Sequence, residues 1–430
     1  MPAYVIHIAE PGAADASLVG PKAANLAAIG RAGLPIPDGF CVGAQAYRHQ
    51  LAALALERTA REVFASSGPQ ARRHALEMKL RLMDEAVASP VCDALVAARS
   101  TLLERNAGAS VVVRSSALVE DRQGSSFAGQ FESFLQLEDE ADFLTAVRGC
   151  WAALWSTRAL RYMATHGLDP ADTAMALLVQ PLVAARVAGG ALSRTSEDAL
   201  LINATWGLGS TIAQGEVAPD RYVLSRDGKL RESVTGYKQF SHTASCAHLR
   251  RAPAPGRPRT ANPCLTPAQA AELGSLVQQT EALMGMPVEI EWAMDDAGFK
   301  LLQARPLNLQ PAPVVDERWR TRPRLNGQPA GVGWATGRAC VINCECELSR
   351  VAPGDVLVTR MAGPALGEIL PRVAGVVAEL GGSTSHLASL ARERGIPVVL
   401  GAFDATHRIP EGSLVAVDGV AGIVRWQAAN

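Results

Sequence analysis

The feature that most restricts how this chain can fold is a proline-rich interruption between Pro306 and Pro329. It contains Pro311, Pro313 and Pro323 and shows no helical or strand periodicity, which predicts a stiff, extended connection. About fifteen to twenty such residues reach about 50 Å at roughly 3.3 Å each. Because 430 residues are enough for two or three hydrophobic cores, the sequence predicts separately packed parts on the two sides of this connection.

The overall composition is that of a globular protein and argues against a nucleic-acid-binding or membrane surface. Hydrophobic residues make up 48% of the chain and charged residues 19%, and the net charge of -1 comes without long basic blocks. No run of 18 apolar residues occurs, and the first residues lack the basic-then-apolar pattern of a signal peptide. We therefore expect a cytoplasmic protein with reduced thiols.

Three of the eight cysteines, Cys340, Cys344 and Cys346, lie close together in the sequence. A tetrahedral metal site needs a fourth ligand, and no histidine or further cysteine stands nearby to supply it. We favour a strand and turn that tolerates cysteine over a metal site at this position.

Apolar patterning on both sides of the interruption predicts a mixed α/β and α+β multidomain fold. Before the interruption, residues 22–29 and 54–106 have helical composition, whereas residues 111–114 and 176–180 read as buried strands. After it, strand segments alternate with a helix from residue 385 to 394, which predicts a compact α/β domain of about 100 residues. The later strand segments are residues 355–358, 373–378, 398–400 and 414–417.

A segment of small and hydroxyl residues, 124–130, follows the predicted strand that contains Arg114. Small residues let backbone N–H groups approach an anion closely, and hydroxyls add donors to phosphate oxygens. Arg114 adds a permanent, forked positive charge. Taken alone, such a loop is more often a simple turn, so its interpretation as a phosphate loop depends on the other motifs.

Two carboxylates, Glu289 and Glu291, stand two residues apart in a predicted strand and therefore share one face. Like charges side by side are unfavourable unless a cation lies between them, and hard oxygen ligands suit Mg²⁺ on nucleotide phosphates. Residues 295–298 form a predicted hairpin turn that brings a second strand, with Gln303 and Arg305, alongside. The alternative is a solvent-facing hairpin with ordinary charges.

The strongest catalytic candidate is His386, which ends the segment Gly-Gly-Ser-Thr-Ser-His and opens a predicted helix. One of Ser383, Thr384 or Ser385 is expected to cap that helix. The positive end of the helix dipole and its free N–H groups would then lie beside the imidazole. A phosphoryl group on His386 would sit at a helix N-terminus among hydroxyl donors, which is a favourable place for negative charge.

These segments together resemble the family that contains pyruvate phosphate dikinase, phosphoenolpyruvate synthase and rifampin phosphotransferase. The resemblance covers about residues 16–310 and 326–425. Two departures from the family pattern are Ser210, where Glu is usual after Gly-Leu-Gly, and the segment 191–195, which lacks the usual Phe-Thr. The matching segments are residues 20–26, 33–40, 113–130, 206–220, 289–306, 381–397 and 417–419.

The resemblance implies an ATP-grasp-type nucleotide-binding domain over residues 1–310, with two subdomains that meet near residue 195. Residues 311–325 would be a linker, and residues 326–430 a small swivelling α/β phosphohistidine domain.

The resemblance also assigns roles to individual residues. His386, Arg305 and Thr384 would be catalytic, and Glu291 and Gln303 would bind Mg²⁺. Gln180 would lie at the adenine rim, and Arg305 would also contact the transferring phosphates. The complete set of expected nucleotide-binding residues is Lys22, Arg114, Ser125, Ser126, Gly129, Gln130, Gln180, Glu289 and Arg305.

The implied activity is that of an ATP-dependent phosphotransferase with paired acceptors, which converts ATP to AMP through a phosphohistidine and acts on a small-molecule acceptor. The chain ends at Asn430, where the synthases and dikinases continue into a barrel, so the domain that would identify the acceptor is expected to be absent. Two alternatives stay open: an ATP-driven ligase that uses the same chemistry, and a phosphocarrier subunit that serves a separate acceptor protein.

Overall fold

The computed structural model describes residues 4–106, 109–120, 131, 133–236, 262–308, 319, 321–363 and 365–427. It divides into two compact units. Unit 1 comprises Met1–Ala184 and Lys300–Arg305, and unit 2 comprises Ala185–Phe299 and Pro306–Asn430. The expected mixed α/β multidomain architecture is confirmed. The predicted domain limits at 310 and 325 border a stretch of which residues 309–318 and 320 lie outside the described residues, so these limits stay predictions.

Unit 1 combines a five-stranded sheet with seven helices in its described part. The strand order is β1-β2-β5-β3-β4, so β5 is the central strand, and every residue in it from 175 to 180 is buried. The strands are β1 (Val5–His7), β2 (Phe40–Val42), β3 (Val111–Ala117), β4 (Ser133–Leu137) and β5 (Met175–Pro181). The helices are α1 (Ala16–Arg31), α2 (Ala44–Ala53), α3 (Glu57–Ala65), α4 (Gly68–Asp84), α5 (Ser89–Arg105), α6 (Glu140–Ala153) and α7 (Thr157–Thr165).

The core of unit 1 forms where the apolar face of α1 packs on the sheet. Leu26 and Val19 of α1 are fully buried in one cluster with Cys41 of β2 and Leu178 of β5. Burial of the Cys41 thiol among these groups raises its pKa to about 12, so the thiol stays protonated and unreactive. The predicted strands at residues 111–114 and 176–180 and the helical stretch 54–106 are present.

Unit 2 begins with a largely antiparallel sheet of strand order β11-β10-β6-β7-β8-β9, and residues Lys300–Arg305 of β11 belong to unit 1. The predicted hairpin is present, because β10 ends at Asp295 and β11 begins at Gly298. The strands are β6 (Val187–Leu192), β7 (Leu200–Trp206), β8 (Asp220–Leu224), β9 (Leu230–Val234), β10 (Val288–Asp295) and β11 (Gly298–Pro306). The helices in this part are α8 (Ser210–Ala213) and α9 (Pro267–Met284).

The later part of unit 2 contains an eight-stranded sheet of order β12-β19-β18-β14-β15-β16-β17-β13. Strands β14 to β17 pair in parallel and β14, β18, β19 and β12 pair antiparallel. The strands are β12 (Arg324–Asn326), β13 (Gln328–Pro329), β14 (Trp334–Ile342), β15 (Val356–Thr359), β16 (Gly375–Ala378), β17 (Val398–Leu400), β18 (Leu414–Asp418) and β19 (Ile423–Gln427). The helices are α10 (Leu366–Ile369), α11 (His386–Arg394) and α12 (Ala405–Arg408).

Buried valines of the parallel strands, including Val358, Val377 and Val399, form the core of this part. Such continuous β-branched runs are typical of strands covered on both faces. Cys340 lies on β14, and Cys344 and Cys346 follow it in the turn and short 3-10 helix, as the strand-and-turn interpretation predicted.

Among the described residues, no single helix is long and apolar enough to cross a membrane. One bent pair, Gly68–Asp84 with Ser89–Arg105, passes the same test jointly by length and composition.

Candidate functional site

A kink at Gly20 within α1 presents Lys22 to strand β3. Gly20 has φ +77°, and a Cβ at this position would lie 2.1 Å from the carbonyl oxygen of Ser116, so only glycine fits. The Ser116 hydroxyl donates to the Val19 carbonyl at 2.7 Å and accepts from the Ala23 N–H at 3.1 Å. One serine of β3 therefore replaces the helical hydrogen bonds lost at the kink.

The Lys22 ammonium is buried and has two described partners in unit 1. Its Nζ lies 2.6 Å from a carboxylate oxygen of Glu120 and donates to the Ser115 carbonyl at 2.8 Å. Only 7% of Lys22 and 4% of Glu120 are exposed, so each charge depends on the other for compensation. An ammonium has three N–H donors, which leaves Lys22 the capacity to contact an anion as well.

Arg114 of β3 uses its forked guanidinium to hold residues of β11. Its Nη1 donates to the Leu302 carbonyl at 2.7 Å, and its Nη2 donates to the Gln303 side-chain oxygen at 2.9 Å. Gln303 and Arg305 of the same strand are buried. Within unit 1, the structure thus brings two of the predicted site residues, Arg114 and Gln303, into contact, and Arg305 lies two residues after Gln303 on the same strand.

Gln180, predicted to line the adenine rim, is the last but one residue of the central strand β5, and its side chain is buried. Its Nε2 donates to the Pro37 carbonyl at 3.1 Å. This bond ties β5 to the segment that precedes β2, so the side chain has a structural task in addition to the predicted one.

Glu289 and Glu291 lie two residues apart on β10, opposite Leu192 and Gly190 of β6. Glu289 is buried, and the cation beside it is the guanidinium of Arg392, whose Nη2 donates to the carboxylate at 2.8 Å. Glu291 is half-buried. The sequence predicts a cation such as Mg²⁺ beside Glu289, and in the structure the guanidinium of Arg392 is a cation at this carboxylate.

His386 is the first residue of α11 and is half-buried. Ser385 is the N-cap, and its hydroxyl accepts from the Ala388 N–H at 3.2 Å, while Gly395 ends the helix with φ 70°. Both ends therefore follow the prediction from the sequence. His386 therefore lies at the N-terminal end of α11, which is the positive end of the helix dipole.

A buried amide network seats the loop before His386 within unit 2. Asn203 of β7 donates to the Gln328 side-chain oxygen at 2.8 Å, and Gln328 donates to the Pro219 carbonyl at 3.1 Å. The same Gln328 oxygen accepts from the Ser383 N–H at 3.4 Å. The Thr384 hydroxyl lies 3.5 Å from the Asn203 side-chain oxygen.

Comparison with protein-family models gives two matches. The AMP/ATP-binding domain of pyruvate phosphate dikinase matches residues 16–322, more than half of the chain. The chain belongs to this family. The mobile domain of PEP-utilising enzymes matches residues 351–422, a range that contains His386 and all of α11.

Relatives of the chain are named phosphoenolpyruvate synthase or probable phosphoenolpyruvate synthase. The chain is 32% identical to a probable phosphoenolpyruvate synthase of Methanothermobacter thermautotrophicus, covering 98% of the chain and 63% of the relative. It is 30% identical to the enzyme of Pyrococcus furiosus (95% and 57% covered) and 29% identical to that of Escherichia coli (96% and 56% covered). The chain thus spans between 56% and 63% of the length of these three relatives.

The predicted phosphate-loop residues Ser125, Ser126, Gly129 and Gln130 lie outside the described residues. Ser210, where the family usually has Glu, is the first residue of the short helix α8.

The sequence did not predict four side chains that contact predicted site residues: Glu120, Asn203, Arg392 and Ser389, whose hydroxyl lies 3.1 Å from the Glu289 carboxylate. Both Glu120 and Arg392 are charged, and Arg392 lies on the predicted helix of His386, so these are the only signals in the sequence that point to them. Nothing local in the sequence distinguishes them from surface charges.

Proposed function

We propose that the chain is an ATP-dependent phosphotransferase of the dikinase type, which phosphorylates itself on His386 and passes the phosphate to a small-molecule acceptor. The observation that carries the proposal is the match of one chain to both an AMP/ATP-binding domain and a PEP-utilising mobile domain, with His386 at a helix N-terminus in the second. Because the relatives are named phosphoenolpyruvate synthases, pyruvate is the first acceptor to test.

In the proposed reaction, an imidazole nitrogen of His386 attacks the β-phosphorus of ATP. The new N–P bond forms as the bond between the β-phosphorus and the bridging oxygen to the α-phosphate breaks, so AMP leaves with that oxygen and the imidazole proton passes to solvent. Water or phosphate then takes the γ-phosphoryl group. The acceptor finally takes the remaining phosphoryl group, and the N–P bond breaks.

Positioning and charge neutralisation are the main contributions a protein makes to such a transfer. We propose that Lys22, Arg114 and Arg305 contact the phosphates of ATP. The hydroxyl of Thr384 would support the imidazole when it is phosphorylated. The N-terminus of α11 favours negative charge on His386 once it is phosphorylated. Gln180 is assigned to the adenine rim, and Ser125, Ser126, Gly129 and Gln130 to the phosphate loop.

Mg²⁺ fits the donor chemistry of the residues assigned to it. Glu291 offers a carboxylate oxygen and Gln303 a side-chain amide oxygen, and hard oxygen donors of both kinds are ligands that Mg²⁺ takes. A bound Mg²⁺ would neutralise charge on the nucleotide phosphates. We further propose that the nucleotide-binding part, residues 1–310, has the ATP-grasp fold and that residues 326–430 swivel on the 311–325 linker.

The test is to incubate the purified chain with ATP and Mg²⁺ and to analyse nucleotides and intact protein mass. We expect AMP and an acid-labile, base-stable phosphoprotein that disappears in His386→Ala. His407→Ala is the matched control, because His407 lies at the surface of α12 in the same unit. The proposal would be overturned if the wild-type protein acquired no phosphate, or if His386→Ala were still phosphorylated.

Adding the acceptor separates the alternatives. Phosphoenolpyruvate formed from pyruvate by the chain alone would support the phosphotransferase. A requirement for a second protein would instead support the phosphocarrier, and a phosphate-free condensation product would support the ligase.

A further inference from the structure

Arg392 connects the loop that precedes His386 to strand β10. Its Nη1 donates to the Ser383 carbonyl at 2.6 Å, three residues before the histidine. Its Nη2 donates to the Glu289 carboxylate at 2.8 Å, from a position 103 residues away along the chain. One rigid fork therefore touches both the backbone of the histidine loop and the strand that carries the carboxylates.

Ser389, one turn before Arg392 on α11, completes a buried cluster around Glu289. Its hydroxyl lies 3.1 Å from each Glu289 carboxylate oxygen, and it accepts from Arg392 Nη2 at 3.3 Å. The side chains of Arg392 and Glu289 are 5% and 6% exposed. A buried ion pair is costly to desolvate, and its distinctive property is fixed geometry rather than net stability.

The histidine loop also fits closely against β6. A Cβ at Gly190 would lie between 2.4 and 2.8 Å from the side-chain atoms of Thr384, so a larger residue would displace the loop. A Cβ at Gly382 would likewise lie 2.6 Å from Pro219 Cγ. Glycines on both sides of the contact therefore allow residues 381–386 to lie close against β6 and the segment before β8. The hydrogen bond from Arg392 to the Ser383 carbonyl then fixes the orientation of this loop.

We propose that Arg392 and Glu289 are positioning residues for phosphoryl transfer at His386. The pair holds the loop of residues 381–386 against β10 and β6, so that the imidazole is presented in one orientation. This inference rests on the proposed function. It gives Glu289 a role through Arg392 in place of a direct contact with the nucleotide.

The first experiment separates positioning from stability with a double-variant cycle on the full chain. Arg392→Gln and Glu289→Gln each remove one member of the buried ion pair and leave the other without it, so both should lower the urea midpoint. Both should also slow single-turnover labelling of His386 about 100-fold, as expected when a reacting group is misplaced. The double variant removes both charges, so its urea midpoint should recover. Its labelling rate should stay low, because the fork is still missing.

Arg394→Gln is the matched control, since Arg394 lies on the same helix but donates to the Gly367 carbonyl at 3.3 Å instead of to β10. Its labelling rate should stay within about 3-fold of wild type, because this part-buried hydrogen bond does not reach the histidine loop or β10. Recovery of both midpoint and rate in the double variant would overturn the proposal. Equal slowing in Arg394→Gln would overturn it as well.

The second experiment does not depend on ATP chemistry. Hydrogen exchange of the nucleotide-free chain should show faster exchange over residues 381–386 in the double variant than in wild type or Arg394→Gln. If the wild type forms no phosphohistidine, the proposed function fails, and exchange alone decides whether the pair positions the loop. Unchanged exchange over residues 381–386 in the double variant would then overturn the inference.

Discussion

Each of the two compact units contains a buried ion pair that includes one predicted site residue. The predicted residue is the cation in one pair and the anion in the other. In unit 1 the predicted residue is the cation, Lys22, and the unpredicted partner is Glu120 at 2.6 Å. In unit 2 the predicted residue is the carboxylate, Glu289, and the unpredicted partner is Arg392 at 2.8 Å. Both pairs are buried, with at most 9% of any side chain exposed.

This difference decides what each predicted residue still has to offer a ligand. Lys22 keeps donor capacity beside its carboxylate and carbonyl partners. The single Ser389 O–H lies 3.1 Å from each Glu289 oxygen and is shared between them, and one of these oxygens also accepts from Arg392. In the arrangement that the structure describes, Lys22 can therefore still donate to an anion, whereas the Glu289 carboxylate is engaged with side chains of α11.

The largest effect is expected when the cation of the first pair is removed. Lys22→Met leaves Glu120 buried without its counter-charge, so urea unfolding should show a loss of about 3–5 kcal/mol. Lys22→Met/Glu120→Gln should recover much of this stability but should not bind ATP, because the cation that we assign to the phosphates is still absent. Normal ATP affinity in the double variant would remove Lys22 from the site and with it the contrast between the two pairs.

Sequence reasoning identified the local features of both regions because these depend on neighbouring residues. The α11 caps Ser385 and Gly395 and the β10–β11 hairpin follow from short patterns, and all are present. The partner Arg392 could not be predicted in the same way, since it meets Glu289 across 103 residues. Such a contact depends on which helix face lies against which strand, and no local spacing rule encodes that.

A second prediction concerns the guanidinium of Arg114. Replacing it with lysine keeps the positive charge but removes the ability to donate two hydrogen bonds in fixed directions, so it separates the effect of charge from that of geometry. Arg114→Lys cannot donate at once to the Leu302 carbonyl and the Gln303 side chain, which Arg114 reaches at 2.7 and 2.9 Å. We expect a loss of about 2 kcal/mol in urea unfolding and a higher Mg²⁺ requirement for labelling. Arg148→Lys is the control, because Arg148 donates to Thr145 near the surface; an equal loss there would make the Arg114 effect non-specific.

The third prediction tests how much of the second pair depends on its hydroxyl. Ser389→Ala removes the donor to both Glu289 oxygens but leaves Arg392 in place. Urea unfolding should show a loss of about 1 kcal/mol, with labelling of His386 slowed far less than in Arg392→Gln. If Ser389→Ala slowed labelling as much as Arg392→Gln, the hydroxyl and not the ion pair would position the loop.

The smallest effect is expected at Glu216, a part-buried carboxyl that contrasts with Glu120 and Glu289. Burial raises the pKa of Glu216 above its usual 4.5, so the folded state holds its proton more tightly than the unfolded state. Its ionisation therefore destabilises the fold as pH rises through the window between 4.5 and the raised value, and the cost persists above that window. Glu216→Gln should raise the melting temperature slightly at pH 7 and leave it unchanged below about pH 4. An equal shift at both pH values would mean that the gain comes from packing and not from removing the charge of Glu216, for which the described part of the chain shows no ion pair.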